Sequence, residues 1–165
     1  MSAFSPELLN AAESLLQNLR SKKLTLTAAE SCTGGLLSAL LTEIAGSSDV
    51  FTHGYITYAN AAKTAMVSVP ELLIQTHGAV SEQVAVAMAE GALKTSGASI
   101  SIAITGIAGP GGATPNKPVG LVHMASARAG GTTLHMVQQC SGDRAAVRLQ
   151  AVMAALNLIA RQVAH

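Results

Sequence analysis

Aromatic residues and charged residues are both scarce in this sequence. Its 165 residues include two Phe, two Tyr and no Trp, and only 12% of them are charged. A nucleic-acid-binding surface needs clustered Lys and Arg or aromatic rings on which bases stack, and neither is present. The composition therefore argues against nucleic acid as a partner. It also predicts a core of closely packed small aliphatic side chains.

Long apolar runs and cysteines are scarce as well. No stretch approaches the roughly eighteen apolar residues of a membrane-spanning helix, and the N-terminus lacks the cationic start of a signal peptide. Cys32 and Cys140 are the only cysteines, and their spacing is not that of metal ligands. We therefore expect no metal site, no membrane association and a cytosolic location. The low fraction of charged residues, together with a hydrophobic content of 49%, indicates that part of the surface lies in a subunit interface, so we expect a homodimer or higher homo-oligomer.

Hydrophobic periodicity and turn residues predict helices that alternate with strands. Ser5 caps a first helix that begins at Pro6, and Gly97 ends a later one. Strands are predicted over 24–28, 51–58, 100–105, 121–127 and 132–140, and further helices over 34–45, 61–67, 81–95 and from about 141 onward. Gly130 and Gly131 join the last two strands in a hairpin, and a further turn begins near Pro70. The pattern predicts one α/β domain over residues 1–165, with a mixed sheet covered on both faces.

The segment AESCTGG, residues 29–35, follows the first predicted strand and precedes a helix. In an open α/β sheet, ligands bind beyond the carboxyl ends of the strands. Ser31 is therefore a candidate nucleophile, because the first backbone N–H groups of a helix have no internal partners and could hold an oxyanion. The expected donors and close-approach positions are Thr33, Gly34 and Gly35.

Each side chain of this segment also has a simpler interpretation. A serine before a helix is most often an N-cap, and Glu30 could be an inert surface acid. Cys32 could be a small buried hydrophobe, yet it is also the obvious rival nucleophile.

Ser31 needs a base, and lysine is a documented partner of serine nucleophiles. None of the five histidines has an acid at a suggestive spacing. Lys63 falls in the first turn of a helix that Asn60 can cap, where burial and the helix dipole would lower its pKa. Tyr58, at the end of the preceding strand, could relay a proton or hold the amine. The alternatives are an ordinary solvated lysine and a half-buried strand tyrosine.

The segment from Gly106 to Gly120 is too rich in Gly and Pro for a regular element. Its backbone N–H groups, including those near Gly106 and Gly109, could surround a phosphate, or the segment could be a long structural turn. Arg144, in the opening turn of the last helix, could clamp a phosphate or carboxylate. It could instead form a surface pair with Asp143, and Arg148 has the weaker claim of the two arginines.

Taken together, these segments resemble the CinA C-terminal domain family. The motifs that carry the resemblance are AESCTGG, GYITYANAAK, GAVSE, ITGIAGPGG followed by KPVG, and SGDRAAVRLQA, which stand in the family's order over nearly the whole chain. The family comprises nicotinamide-nucleotide amidases. The resemblance implies a three-layer α/β/α fold and hydrolysis of nicotinamide mononucleotide to nicotinate mononucleotide and ammonia, without cofactor or metal. Nicotinamide mononucleotide, a small molecule, is thus the expected partner.

The resemblance also assigns roles to matching positions. It implies Ser31 as nucleophile, Lys63 as general base and Tyr58 as its helper, with Thr105 and Arg144 positioning the substrate. The chain departs from the common pattern at Ala61, Ala113 and Cys140. Many relatives carry an additional N-terminal domain with pyrophosphatase activity, which is not transferred to this chain. A domain that binds a nucleotide or a partner without catalysis is the alternative function.

Overall fold

The computed structural model describes residues 2–165, which form one five-stranded sheet and six α-helices within that range. The strands are β1 Leu26–Glu30, β2 Phe51–Ile56, β3 Ile100–Gly106, β4 Leu121–Arg128 and β5 Leu134–Gln139. The helices are α1 Pro6–Ser21, α2 Leu36–Glu43, α3 Asn60–Val67, α4 Glu71–His77, α5 Glu82–Ser96 and α6 Arg144–Ala164. Over residues 2–165, no helix combines the length and apolarity needed to cross a membrane.

The sheet has the strand order β2-β1-β3-β4-β5. Strand β1 pairs in parallel with both β2 and β3, while β4 is antiparallel to β3 and to β5. Four strands therefore run in one direction and β4 runs in the other, which confirms a mixed, mostly parallel sheet. Parallel neighbours require crossover connections, and helices supply them here. The carboxyl ends of β1, β2 and β3 consequently meet at one edge of the sheet.

Helices cover both faces of the sheet, which confirms the three-layer arrangement. On one face, side chains of α1, α2 and α6 pack with strand residues such as Ala28 and Ile102. On the other face, side chains of α3, α4 and α5 pack with Ala29 and Ala103. Successive strand residues point to opposite faces, so each small residue of β1 and β3 serves one of two separate cores.

Close packing replaces large aromatic side chains, as the composition predicts. Gly91 lies in the middle of α5, and a Cβ atom added to it would collide with the backbone carbonyl of Val67 at the end of α3. A glycine inside a helix costs up to about 1 kcal/mol relative to alanine. Here the missing side chain lets α3 lie directly against α5, which fixes the helix that carries Lys63.

Most predicted helix boundaries agree with the structure, and two details differ. Ser5 and Ser81 accept hydrogen bonds as N-caps, and Gly97 ends α5 in the left-handed conformation. The expected Asn60 cap is wrong, because α3 begins at Asn60 itself and the preceding residue makes no side-chain cap. The turn expected near Pro70 continues into the short helix α4.

Candidate active site

Ser31 lies immediately beyond the carboxyl end of β1, and its position is fixed by the neighbouring strand. Its backbone N–H donates to the carbonyl of Ile104 in β3 at 2.9 Å. The residue is buried, and its Oγ lies 3.1 Å from Nζ of Lys63. The N-cap interpretation of Ser31 is therefore wrong, because its hydroxyl faces the lysine and not the helix that follows.

Glu30 caps α2 in place of Ser31. This residue is only 1% exposed, so the interpretation as a surface acid is wrong. Its two carboxylate oxygens accept hydrogen bonds from the backbone N–H groups of Gly35, Leu37 and Ser38 and from the Ser38 hydroxyl. A carboxylate at the positive end of a helix dipole is electrostatically favourable. By satisfying the start of α2, Glu30 leaves the Ser31 hydroxyl available for other contacts.

The expected oxyanion donors need a correction. The N–H group of Gly34 donates to the Ser31 carbonyl at 3.0 Å, and that of Gly35 donates to Glu30, so neither is free. Both glycines instead adopt positive φ angles, of 56° and 95°, which bend the chain from β1 into α2. The N–H groups of Cys32 and Thr33 are the ones that form no hydrogen bond within residues 2–165.

Lys63 is a buried amine surrounded by oxygen atoms. The residue is 1% exposed, and its Nζ lies 2.9 Å from the Thr57 carbonyl and 3.2 Å from the Tyr58 carbonyl, in addition to Ser31 Oγ. Within residues 2–165, no carboxylate forms an ion pair with it. Burial lowers the pKa of the Lys63 amine from its ordinary value, because the charged form loses its hydration. The alternative of a solvated lysine is therefore wrong.

The three oxygen atoms around Lys63 Nζ determine which hydrogen bonds the amine can make in its neutral form. A neutral amine has two N–H donors and one lone pair, and the two carbonyl oxygens of Thr57 and Tyr58 can only accept. In the neutral form these two carbonyls can take both donors, which leaves the lone pair for the Ser31 hydroxyl. This arrangement allows the amine to accept the hydroxyl proton.

The phenol of Tyr58 does not hold the amine. Its side chain is 60% exposed, and its hydroxyl accepts a hydrogen bond from Nη2 of Arg144 at 3.1 Å. The backbone carbonyl of Tyr58 is the group that contacts Lys63. Arg144 also donates from Nη1 to the carbonyl of Gly109 at 2.8 Å, so it joins the β2–α3 connection to the glycine-rich loop. The Asp143 pair is absent, because Asp143 caps α6 instead.

These groups line a cavity of about 270 Å³ at the carboxyl end of the parallel strands. Its walls include Ser31, Cys32, Tyr58, Asn60, Lys63, Ala79, Val80, Thr105, Gly106, Ile107, Ala108, Gly111, Gly112 and Arg144. Six of the residues singled out in the sequence as site residues thus lie together: Ser31, Tyr58, Lys63, Thr105, Gly106 and Arg144. Four other residues that the sequence had singled out do not line the cavity: Thr33, Gly34, Gly35 and Gly109. Asn60, Gly111 and Gly112 do line it and were missed as individual site residues, although Gly111 and Gly112 lie in the loop that the Gly and Pro content had marked.

Thr105 holds the opposite wall of the cavity. It is buried, and its hydroxyl donates to the Ala79 carbonyl at 2.8 Å, which fastens the segment before α5 to the end of β3. Its oxygen retains lone pairs and can still accept a hydrogen bond from a ligand.

Cys32 is a poor nucleophile in this environment. It is buried, and burial raises the pKa of its thiol to about 11. A thiolate is the reactive form of cysteine, so very little of the reactive species exists near neutral pH. Ser31, whose hydroxyl lies beside the Lys63 amine of lowered pKa, is chemically the better candidate for the nucleophile.

The fold and the site together define a three-layer α/β/α domain with a buried serine–lysine pair at the carboxyl edge of its sheet. The family model of the CinA C-terminal domain matches residues 9–163, and the chain belongs to this family. It is 47% identical over 156 residues to a protein of Escherichia coli (strain K12) named nicotinamide-nucleotide amidohydrolase PncC, covering 94% of each chain.

Other relatives are longer, and a solved structure is very similar. A CinA-like protein of Anaeromyxobacter dehalogenans (strain 2CP-C) is 54% identical over 79% of this chain. The chain spans only 32% to 36% of the length of that relative and of two others. The crystal structure of the competence/damage inducible protein CihA of Agrobacterium tumefaciens superimposes with a TM-score of 0.95 and 42% identity, covering all of both chains.

Replacing Glu30 by glutamine should destabilise the protein. The Glu30→Gln side chain has the same size but would point an NH₂ group at backbone donors of α2, leaving buried N–H groups without acceptors. We expect the free energy of unfolding to fall by about 2–4 kcal/mol in urea titrations. Glu43→Gln, the same change at an exposed position of α2, should alter it by less than about 0.5 kcal/mol. Equal effects of the two variants would contradict the capping role.

The burial of Lys63 should make stability depend on pH in a defined direction. The amine has a lower pKa in the folded chain than in the unfolded chain, so the unfolded chain binds more protons between the two values. The free energy of unfolding therefore rises with pH in that window, by at most about 1.4 kcal/mol per pH unit. Lys63→Met removes this contribution, so its stability relative to the wild type should fall as pH rises.

Thermal unfolding of both proteins from pH 6 to pH 10 measures this difference. Lys94→Met, which replaces an exposed lysine of α5, is the matched control and should follow the wild type at every pH. Parallel curves for the wild type and Lys63→Met would show that the buried amine has an ordinary pKa.

Proposed function

We propose that this protein hydrolyses the carboxamide of nicotinamide mononucleotide to nicotinate mononucleotide and ammonia. The observation that carries the proposal is the 3.1 Å contact between Ser31 Oγ and the buried Lys63 Nζ on the wall of the cavity. The relative named nicotinamide-nucleotide amidohydrolase, at 47% identity over 94% of both chains, supports the choice of substrate.

In the first step, Ser31 Oγ attacks the carboxamide carbon while the Lys63 lone pair takes the hydroxyl proton. The two carbonyls of Thr57 and Tyr58 hold the other amine hydrogens, so the lone pair cannot turn away from the serine. Negative charge develops on the carboxamide oxygen. The N–H group of Cys32 has no partner within residues 2–165, and Cys32 lines the cavity directly after the nucleophile, so this donor is suited to stabilise that charge.

In the second step, the Lys63 ammonium returns its proton to the departing nitrogen, and ammonia leaves an ester on Ser31. A water molecule then attacks the ester while Lys63 accepts one of its protons. The serine oxygen takes that proton back as the carboxylic acid product is released, which restores the starting state, and the acid then passes its remaining proton to ammonia to give carboxylate and ammonium. One water is consumed and one ammonia is formed, and the reaction needs no other reactant. Nucleophilic and acid–base catalysis thus use the same two side chains.

The nucleotide part of the substrate must be held by the remaining walls. The glycine-rich loop presents Gly106, Gly111 and Gly112 to the cavity, where backbone N–H groups can approach a phosphate closely. Arg144 brings a permanent positive charge to the same wall. Its contacts with Tyr58 and Gly109 fix the guanidinium in place before substrate arrives.

Removing either member of the pair should abolish turnover. Ser31→Ala lacks the nucleophile and Lys63→Met lacks the base, so each should lower kcat by about a thousandfold or more. Purified protein is mixed with nicotinamide mononucleotide, and ammonia and nicotinate mononucleotide are both quantified. Cys32→Ala is the matched control at the neighbouring position and should keep most of the activity.

The same assay separates catalysis from simple binding. Calorimetry that detects nicotinamide mononucleotide binding without any ammonia release by the wild type would support a binding domain instead. Full activity of Ser31→Ala would exclude the serine mechanism.

The activity should rise with pH through the pKa of the Lys63 amine, because only the neutral amine accepts the proton. That pKa lies below the ordinary value of 10.5, so the rising limb of kcat/KM should lie below it as well. Incorporation of γ-thialysine at position 63, whose amine is less basic, should move the limb to lower pH. A limb that does not move would identify a different titrating group.

A further inference from the structure

Arg148, in α6, does not line the cavity. It contacts residues 31–35, the β1–α2 turn that carries Ser31. Its Nη2 donates to the carbonyl of Thr33 at 2.8 Å, which is its hydrogen bond within residues 2–165. Its Nε is buried and has no partner among the described residues. No carboxylate there pairs with the guanidinium. A partly buried arginine with an unsatisfied nitrogen and no counter-ion destabilises the folded chain.

The carbonyl that Arg148 holds belongs to the turn that shapes the site. Thr33 is fully buried, and its carbonyl also accepts the N–H group of Leu36 at 3.0 Å. On the other side of the same peptide, the Gly34 N–H donates to the Ser31 carbonyl. This peptide plane is therefore fixed by three hydrogen bonds, one of which comes from a helix at the far end of the sequence.

The two free N–H groups of the turn lie just before this peptide. The Thr33 N–H precedes the peptide of the Thr33 carbonyl by one peptide unit and the Cys32 N–H precedes it by two, and rotation of the Thr33 peptide would change their direction. In the proposed reaction the Cys32 N–H donates to the developing oxyanion, and such a donor is effective only when its direction is fixed in advance.

We propose that Arg148 is a positioning residue that sets the direction of the Cys32 oxyanion donor by holding the Thr33 carbonyl against α6. This inference rests on the proposed amidase function. Arg148 does not line the cavity and does not touch the substrate, so its loss should affect the transition state and leave substrate binding nearly unchanged.

Arg148→Met tests the inference, because methionine fills similar apolar space without donors or charge. Loss of one oxyanion donor costs about 10²- to 10³-fold in kcat, and misdirected donors should cost less, so we expect a fall of about 10- to 100-fold. KM for nicotinamide mononucleotide should change by less than about threefold. Arg148→Lys, which can still donate to the carbonyl, should retain an intermediate kcat, and added guanidinium ion should restore part of the activity of Arg148→Met.

Two further measurements exclude a merely structural effect. The urea midpoint of Arg148→Met should equal or exceed that of the wild type, because an unsatisfied buried nitrogen is removed. The amide ¹H–¹⁵N signals of Cys32 and Thr33 should shift in this variant. Arg161→Met, which removes an exposed arginine from the same helix, is the matched control and should change none of these quantities.

The possible outcomes test the positioning role of Arg148 separately from the amidase function on which it rests. If the wild type and Arg148→Met release ammonia at similar rates, the positioning role is wrong and the amidase proposal stands. A loss of kcat that parallels a loss of folded protein, with no guanidinium rescue, also overturns the positioning role. If the wild type releases no ammonia, the amidase proposal fails and the role of Arg148 in it fails too.

Discussion

The site depends on one energetically unfavourable feature, the burial of the Lys63 amine away from water. Burying a charged ammonium without a carboxylate partner is costly, and burial therefore lowers the pKa of the Lys63 amine. Two backbone carbonyls and the Ser31 hydroxyl lie within hydrogen-bond distance of its nitrogen. The amine is fixed because α3 lies against α5 at Gly91, where no side chain separates the two helices. Packing in the second core thus determines the position of the Lys63 amine and the burial that lowers its pKa.

The direction of the Glu30 side chain also affects the environment of the Lys63 amine. A carboxylate beside Lys63 would stabilise the ammonium and raise the pKa of the amine. Glu30 is adjacent to Ser31 in sequence, but alternation along β1 directs consecutive side chains to opposite faces of the sheet. Its carboxylate therefore lies on the α2 side, where four hydrogen bonds occupy it. One residue thus begins α2, frees the Ser31 hydroxyl from capping, and keeps negative charge away from the amine.

Local patterns predicted the elements well, because the relevant interactions are local. The Ser5 cap, the Gly97 end of α5 and the Gly130–Gly131 hairpin are all encoded within a few residues. Six residues of the cavity wall were also predicted, because strand ends and glycine-rich loops mark the edge of an α/β sheet, whereas Asn60, Gly111 and Gly112 were not. The burial of Glu30 could not be predicted, since its partners lie across a turn whose geometry depends on two left-handed glycines. The expected homo-oligomer and the extent of the domain stay predictions.

Helix α6 shows why geometry of this kind escapes sequence patterns. Arg144 and Arg148 are four residues apart and so project from the same side of the helix. Together they contact three segments that are distant in sequence. Arg144 binds the β2–α3 connection at Tyr58 and the glycine-rich loop at Gly109. Arg148 binds the β1–α2 turn at Thr33. The helix itself is anchored by its apolar side chains in the first core. Since a packed helix moves as a unit, the relative positions of these segments are set by how α6 packs on the sheet, and the arrangement of the site is a consequence of tertiary packing more than of any single motif.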